Sequence, residues 1–545
     1  MAITAYRATL DTLLVGAKVR RWPRDLAPGA AIGIRDGRIM AVGSASDFEG
    51  AVSVETRVID LAGRTVMPAF VDSHTHFHRG SILASLYLDF DAIRPSSVGD
   101  VTAAVRERAA VTPGDGWIQG DNLSALRLNE ARLPDRRELD AAADGRPVVL
   151  RGIGKHVVAA SSAALAAAGI DAQTIDPPGG RIERDADGQP SGILHERAKL
   201  RLDQSHPDSA VPRPGSDDRR RALLEGFSSL HRVGVTTIHE MVRLPEEADD
   251  FAALRAEGEL GVRVRLYYRI HESPLSLDWL EALGIRSGLG DDWLRILGVK
   301  ISVDGFCIFR NAAIYEPYRG EPENCGLLRI EPDHLRDLVR RANAQGLQVA
   351  IHAVGARAVD LALDAFAAAL PAIAGPHRLE HAYVDVDDAQ LARARSLGLA
   401  WSTQPAFFTA YAREWAEIFG PQRRDRMMPL AQGQRLGLPI LLNSDYPCAP
   451  IDPLEGIRRA VQHASAGPGR DSGGLDLVTA WEGFTSTPAS VAGERNLGRL
   501  TEGAWADLVV LDADPFDAEI DLATLSVRAT MMAGTFVFGE GEVLG

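Results

Sequence analysis

Cysteine is scarce: the chain has three in 545 residues, Cys307, Cys325 and Cys448. An odd, scattered count excludes a disulfide framework and suits a reducing compartment. Long apolar runs are missing too. No stretch approaches the roughly 18 residues that a membrane helix needs. Positive charge is in deficit, with 59 Lys and Arg against 74 Asp and Glu and a net charge of −15. Such a balance argues against nucleic acid or an anionic membrane surface as a partner. Gly (52) and Pro (30) are too few for a disordered or fibrous chain. The first residues lack a basic start followed by an apolar core, so the expected location is the cytoplasm. With 46% apolar and 24% charged residues, the expected composition class is an ordinary soluble globular protein.

Both ends of the chain read as β-structure. Leu13 to Lys18, Ala31 to Arg35, Arg38 to Val42 and Val58 to Asp60 are apolar or alternating. Asp36-Gly37 between two of them is a strong hairpin signal. Asp507 to Asp512 is another apolar run, and Val527 to Phe538 predicts a hairpin around Gly534. The middle repeats a strand-then-helix rhythm. Eight short apolar runs end in polar residues: Thr65 to Asp72, Val233 to Ile238, Val262 to Ile270, Leu294 to Ser302, Gln348 to Ile351, Arg378 to Ala382, Leu399 to Thr403 and Leu438 to Leu442. Alternating β and α patterns with near-continuous apolar strands predict a parallel sheet, and eight repeats predict an α/β fold of the (β/α)8, or TIM, barrel type. The wide gap between the first and second runs predicts a long insertion after the first strand, with its own strand (Pro147 to Leu150) and an Ala-rich helix (Ser161 to Ala168). The expected domains are a small composite β-sandwich from residues 1–66 and 496–545, and a barrel over 67–495 containing an insertion at about 80–218.

The chemistry gathers at the ends of the predicted barrel strands. His74 and His76 follow the first, two residues apart and so on one side of an extended chain. Two imidazoles at that edge suit a divalent metal. Lys300 ends the fourth strand, His352 the fifth, His381 the sixth, and Asp445 follows the eighth. One buried histidine is commonly a satisfied core residue; the set points to metal binding. A lysine among three or four histidines and an aspartate has no evident structural purpose as a cation.

This constellation resembles the binuclear subtype of the amidohydrolase superfamily. That pattern has His-x-His on strand one, Lys on four, His on five, His on six and Asp on eight. Longer stretches resemble amidohydrolase family 3, whose members include N-substituted formamide deformylase-like and exoenzyme-regulator-like proteins. They include Met67-Pro-Ala-Phe-Val-Asp-Ser-His-Thr-His, Val299-Lys-Ile-Ser-Val-Asp-Gly, Arg378-Leu-Glu-His and Leu500-Thr-Glu-Gly with the Ala-Asp-Leu-Val-Val-Leu-Asp that follows. The resemblance implies that Lys300 is carboxylated on its ε-nitrogen and bridges two divalent metals. One departure is Asn443, where a Gly usually precedes Ser-Asp; it is expected to reshape the loop carrying Asp445.

The expected chemistry follows from the ligand types. His74, His76 and Asp445 would hold the more buried metal, and His352 and His381 the more exposed one. Zinc is the first choice for histidines with oxygen ligands. A metal pair lowers the pKa of a shared water and polarises a carbonyl. Asp445 would act as general base and then as general acid. The expected enzyme is a metal-dependent amidohydrolase that cleaves a non-peptide C–N bond of a small molecule, such as an N-acyl or N-formyl amide. The same machinery would serve a cyclic amide, carbamate or ester. A mononuclear deaminase is an alternative, but that class places a Glu where Gly355 stands and lacks a strand-four lysine. A non-catalytic metal-binding regulatory protein is a third reading. Arg310, His156, His239 and His271 are candidate substrate-binding residues, and Asp304 a candidate for orienting a neighbouring group. The family makes a homodimer plausible.

Overall fold

The structure, a computed structural model, describes residues 9–22, 25–152, 157–204, 206, 208–371, 375–463 and 473–541. It divides into two compact units. One comprises residues 1–77 and 227–545, the other residues 78–226.

The first unit holds the barrel and the sheet made by the termini. The terminal sheet has eight strands. Thr12–Trp22, Asp25–Arg35, Arg38–Gly43, Arg57–Asp60 and Thr65–Pro68 come from the front of the chain, and Leu508–Leu511, Val527–Met532 and Thr535–Phe538 from the back. Thr65–Pro68 pairs antiparallel with Leu508–Leu511, which joins the two ends of the sequence. The hairpin at Asp36-Gly37 forms as expected. Its φ angles of 51° and 72° are those of a tight turn that matches strand twist. Alternation sends Leu14, Ile32 and Ile34 into one apolar cluster and Leu13, Ala31 and Ala41 into another on the opposite face.

The barrel has eight parallel strands in sequence order: Phe70–Thr75, Val235–Val242, Arg263–Arg269, Leu294–Ser302, Gln348–Gly355, Arg378–Val384, Ala400–Thr403 and Ile440–Leu442. They are called strands one to eight below. The expected run Thr65 to Asp72 is in fact two strands. Thr65–Pro68 stays in the terminal sheet, and Phe70–Thr75 enters the barrel. The switch falls at Pro68-Ala69, where Pro68 has no N–H to donate and Ala69 N donates to Asp507 O at 3.1 Å. Strands one and eight are linked by Ser73 Oγ donating to Leu442 O at 3.2 Å.

Helices between and after the strands start at recognisable signals. Pro245, Pro332 and Pro453 occupy first-turn positions, and Asp387 with Gln390 forms a reciprocal cap. The barrel interior is unusually polar. Arg263, Arg265, Tyr267, Arg378 and Glu380 are all fully buried there or at its floor. Each charge is paired: Arg263 with Asp507, Arg265 with Glu494, and Arg378 with Glu380.

The second unit carries its own six-stranded sheet, far more than the single strand and helix expected. Its order is Gly180–Arg184, Pro190–Glu196, Val157–Ala160, Val148–Gly152, Ile118–Leu123 and Leu88–Asp89. Val148 and Leu150 face a cluster with helices Val98–Val111 and Arg136–Ala143. Val149 and Val158 face a second cluster with helix Ser162–Ala167. A sheet buried on both faces explains the continuous apolar run Pro147 to Leu150. No helix among the described residues is long and apolar enough to cross a membrane.

Candidate metal centre

Strand one and the chain after strand eight hold each other by the backbone. Asp445 N donates to His74 O at 3.0 Å, and His76 N donates to Tyr446 O at 2.8 Å. Buried Asp72 accepts from Ser444 N at 3.1 Å and from Ser444 Oγ at 2.5 Å. Burial, partly offset by these bonds, lifts the Asp72 carboxyl to about 6. Asp445 itself sits at φ 51°, a left-handed conformation that a non-glycine residue rarely takes. The result is a donor triplet. Asp445 Oδ1 lies 3.4 Å from His76 Nε2 and 3.6 Å from His74 Nε2. One ligand atom from each of the three residues falls within 4.8 Å of the others. Lys300 Nζ lies 3.4 Å from His74 Nε2.

Two more imidazoles complete the cluster without belonging to that tightest triplet. The His381 ring centre is 5.1 Å from that of His74 and 4.5 Å from that of His352. Strands one and six each carry an extra residue against their neighbour, at His74 and just after His381. Such bulges re-aim side chains at sheet ends. His381 and Ala382 are both left-handed, at φ 71° and 47°. Trp401 Nε1 donates to His381 O at 2.8 Å and holds that turn. His352 Nε2 faces Gly305 O at 3.1 Å.

The donor set suits a divalent cation. Burial first, then Lys300 and neighbouring positive groups, holds His74 well below its ordinary value. His381 is held low by burial, His352 and Lys300, and His352 falls to about 3 through burial and Lys300. These rings are therefore neutral at physiological pH, the state in which imidazole binds a metal. Glu380 Oε2 accepts from His74 Nδ1 at 2.5 Å, and Gln404 Oε1 lies 3.0 Å from His381 Nδ1. Both contacts leave Nε2 as the ligand atom. Burial lowers the Lys300 ammonium to about 8, despite Glu380 and Asp445.

Residues 57–538 match the amidohydrolase family. The chain belongs to that family. This amidohydrolase is 32% identical to YtcJ of Bacillus subtilis, a protein with an amidohydrolase name, over 93% of this chain and 96% of the relative. It is 29% identical to the N-substituted formamide deformylase of Arthrobacter pascens, over 97% of each. Among solved structures it is similar to an uncharacterized metal-dependent hydrolase from Pyrococcus furiosus, at 27% identity and a TM-score of 0.74, over 92% of this chain and 99% of that one.

The remaining candidates fall in different places in this amidohydrolase. His239, on strand two, is fully buried, with Nδ1 at 3.0 Å from Arg378 Nη1. His271, just past strand three, is half-buried with its ring centre 6.3 Å from that of His334. Arg310 is ion-paired with Glu321. His156 lies outside the described residues. Asp304 accepts from Val354 N, Gly355 N and Ala313 N at 2.9, 3.0 and 2.9 Å, so it fastens the end of strand five to the segment that follows strand four. The sequence alone assigns no task to the first and third residues of Arg378-Leu-Glu-His. Two charges two residues apart in an apolar strand were the available signal, since they must share one buried face.

Proposed function

We propose that this amidohydrolase hydrolyses a C–N bond other than a peptide bond in a small molecule, an N-acyl or N-formyl amide, with two divalent metal ions. The observation that carries this reading is the convergence of His74, His76 and Asp445 within 4.8 Å beside buried Lys300. His74, His76 and Asp445 would hold one ion, and His352 and His381 the other. Lys300, carboxylated on its ε-nitrogen, would bridge them. Carboxylation needs a neutral amine, which the Lys300 value of about 8 favours. Zinc suits the nitrogen-rich set. Bound there, the ions would supply Lewis acidity toward the substrate carbonyl and acidify the attacking water.

The protein's own groups do the proton work. Asp445 accepts a proton from water as the water oxygen bonds to the carbonyl carbon. It then gives that proton to the amine nitrogen as the C–N bond breaks, which releases a carboxylic acid and an amine. The deaminase reading is disfavoured by Gly355. A Cβ there would lie 2.1 Å from Ala313 O, so no proton-donating side chain fits that position.

The test is a panel of N-formyl and N-acetyl amines given to zinc-loaded protein, with amine release as the readout. The expected result is turnover that disappears in Asp445→Asn. Turnover of aminated heterocycles with ammonia release, and of no amide, would favour the deaminase. No turnover of either class would leave the catalytic reading without support.

A further inference from the structure

The departure at Asn443 also places a polar side chain in a buried network. The Asn443 backbone is not left-handed, and the residue is fully buried. It stands inside a chain of polar groups that runs beneath the candidate ligands from His74 to His381. His74 Nδ1 meets Glu380 Oε2 at 2.5 Å, and Glu380 Oε1 lies 2.6 Å from Arg378 Nε. Arg378 Nη2 donates to Ser402 Oγ at 3.2 Å. Asn443 Nδ2 donates to the same hydroxyl at 3.0 Å, and Gln404 Nε2 donates to Asn443 Oδ1 at 2.8 Å. Gln404 Oε1 meets His381 Nδ1 at 3.0 Å. Arg378, Glu380, Ser402, Gln404 and Asn443 are all fully buried.

Hydrogen-bond polarity runs one way along this chain. Asn443 Nδ2 also reaches Thr403 O at 3.2 Å. A backbone carbonyl only accepts, so the amide nitrogen of Asn443 must face it. Its oxygen must then face Gln404, and Gln404 must offer its nitrogen. That leaves Gln404 Oε1 toward His381, and Nδ1 of His381 must carry the proton. Nε2 is left as a lone pair. Without an amide at 443, nothing among these contacts decides which way Gln404 points. A flipped Gln404 would donate to Nδ1 and place the proton on Nε2.

We propose that Asn443 is a positioning residue, which through Gln404 fixes the His381 tautomer that presents Nε2 as a ligand. The proposal rests on the metal-centre reading above. The same network gives His74 the matching tautomer through Glu380, so both rings offer Nε2 together.

The experiment follows zinc release from loaded protein to a chromophoric chelator, with thermal midpoint as a control for folding. Asn443→Gly is expected to release zinc about tenfold faster, the low end of what removing an outer-shell partner costs. Adding Gln404→Glu is expected to bring the rate back to within about threefold of wild type, because a carboxylate accepts from Nδ1 whichever way it lies. Asn443→Asp keeps an acceptor toward Gln404 Nε2 and is expected to release zinc near the wild-type rate even if its midpoint falls. It decides the matter if the double variant does not fold. Unchanged release in Asn443→Gly, or no rescue by either carboxylate, overturns the proposal and leaves Asn443 as packing. Wild-type protein that holds no zinc overturns instead the metal-centre reading on which it rests.

Discussion

Asp445 is placed by its backbone before its side chain acts. Its N–H is committed to His74 O, and Ser444 beside it is held by Asp72. Asp445→Asn keeps those bonds and the side-chain volume, yet removes a carboxylate able to carry a proton. We expect kcat/KM to fall by about 10³ with the thermal midpoint nearly unchanged, measured on zinc-loaded protein. His377 provides a test remote from the chemistry. Its Nδ1 accepts from Val349 N at 3.2 Å, and burial lowers its pKa from 6.5 to about 4. The folded state keeps this ring neutral, while the unfolded chain binds a proton below about 6.5. Its contribution is therefore fully present above that pH and is lost as pH falls toward 4. A His377→Gln variant should lose about 2–3 kcal/mol less stability than wild type between pH 7 and pH 4, read from denaturant midpoints. At this scale the sequence was most informative about which side chains gather, His74, His76 and Asp445 above all. It was silent on Gln404 and marked Asn443 only as a departure before Ser-Asp, because an amide's task depends on which groups face it, and those come from other strands.

Strand four shows how an element sets a site. Gly298 and Lys300 share one face of that strand, and Gly298 packs against strand five. A Cβ on Gly298 would lie 1.9 Å from Gln348 O, a backbone atom that cannot rotate away. Gly298→Ala must push the two strands apart. We expect a loss of about 1–3 kcal/mol in stability, with a fall in metal retention because Lys300 shifts with the strand. Thermal unfolding and metal analysis on the same sample check both. The barrel strands were legible because buried parallel strands are apolar runs that end at polar residues. The division of Thr65 to Asp72 was not, since both sheets bury their strands and the run stays apolar across the switch. The short strands of the second unit were hidden for another reason. Leu88–Asp89 is two residues long, and Gly180–Arg184 alternates with charges, so neither has a pattern of its own.

For the molecule as a whole, the barrel and the terminal sheet are tied by buried charge. Arg263 on strand three is fully buried and meets Asp507 Oδ2 at 2.8 Å, with its guanidinium 4.3 Å from the Trp505 ring centre. Asp507 also accepts from Ala533 N at 2.8 Å. Asp507→Ala strands a buried guanidinium and should cost about 3–5 kcal/mol, whereas Arg263→Met with Asp507→Leu should recover much of that loss. Comparing the two midpoints separates a clamp from ordinary packing. The composite origin of this sheet was visible in advance because both termini carry β patterns that the middle lacks. Its exact partners were not, since pairing between residues some 440 apart leaves no local trace.

The measurement that tests the account most directly is metal content per chain, by elemental analysis, on protein expressed with bicarbonate and excess zinc. A Lys300→Ala variant is analysed alongside. The account predicts close to two ions in the wild type and one or fewer in the variant. One ion in both would contradict the bridged pair, and none in the wild type would contradict the metal centre itself.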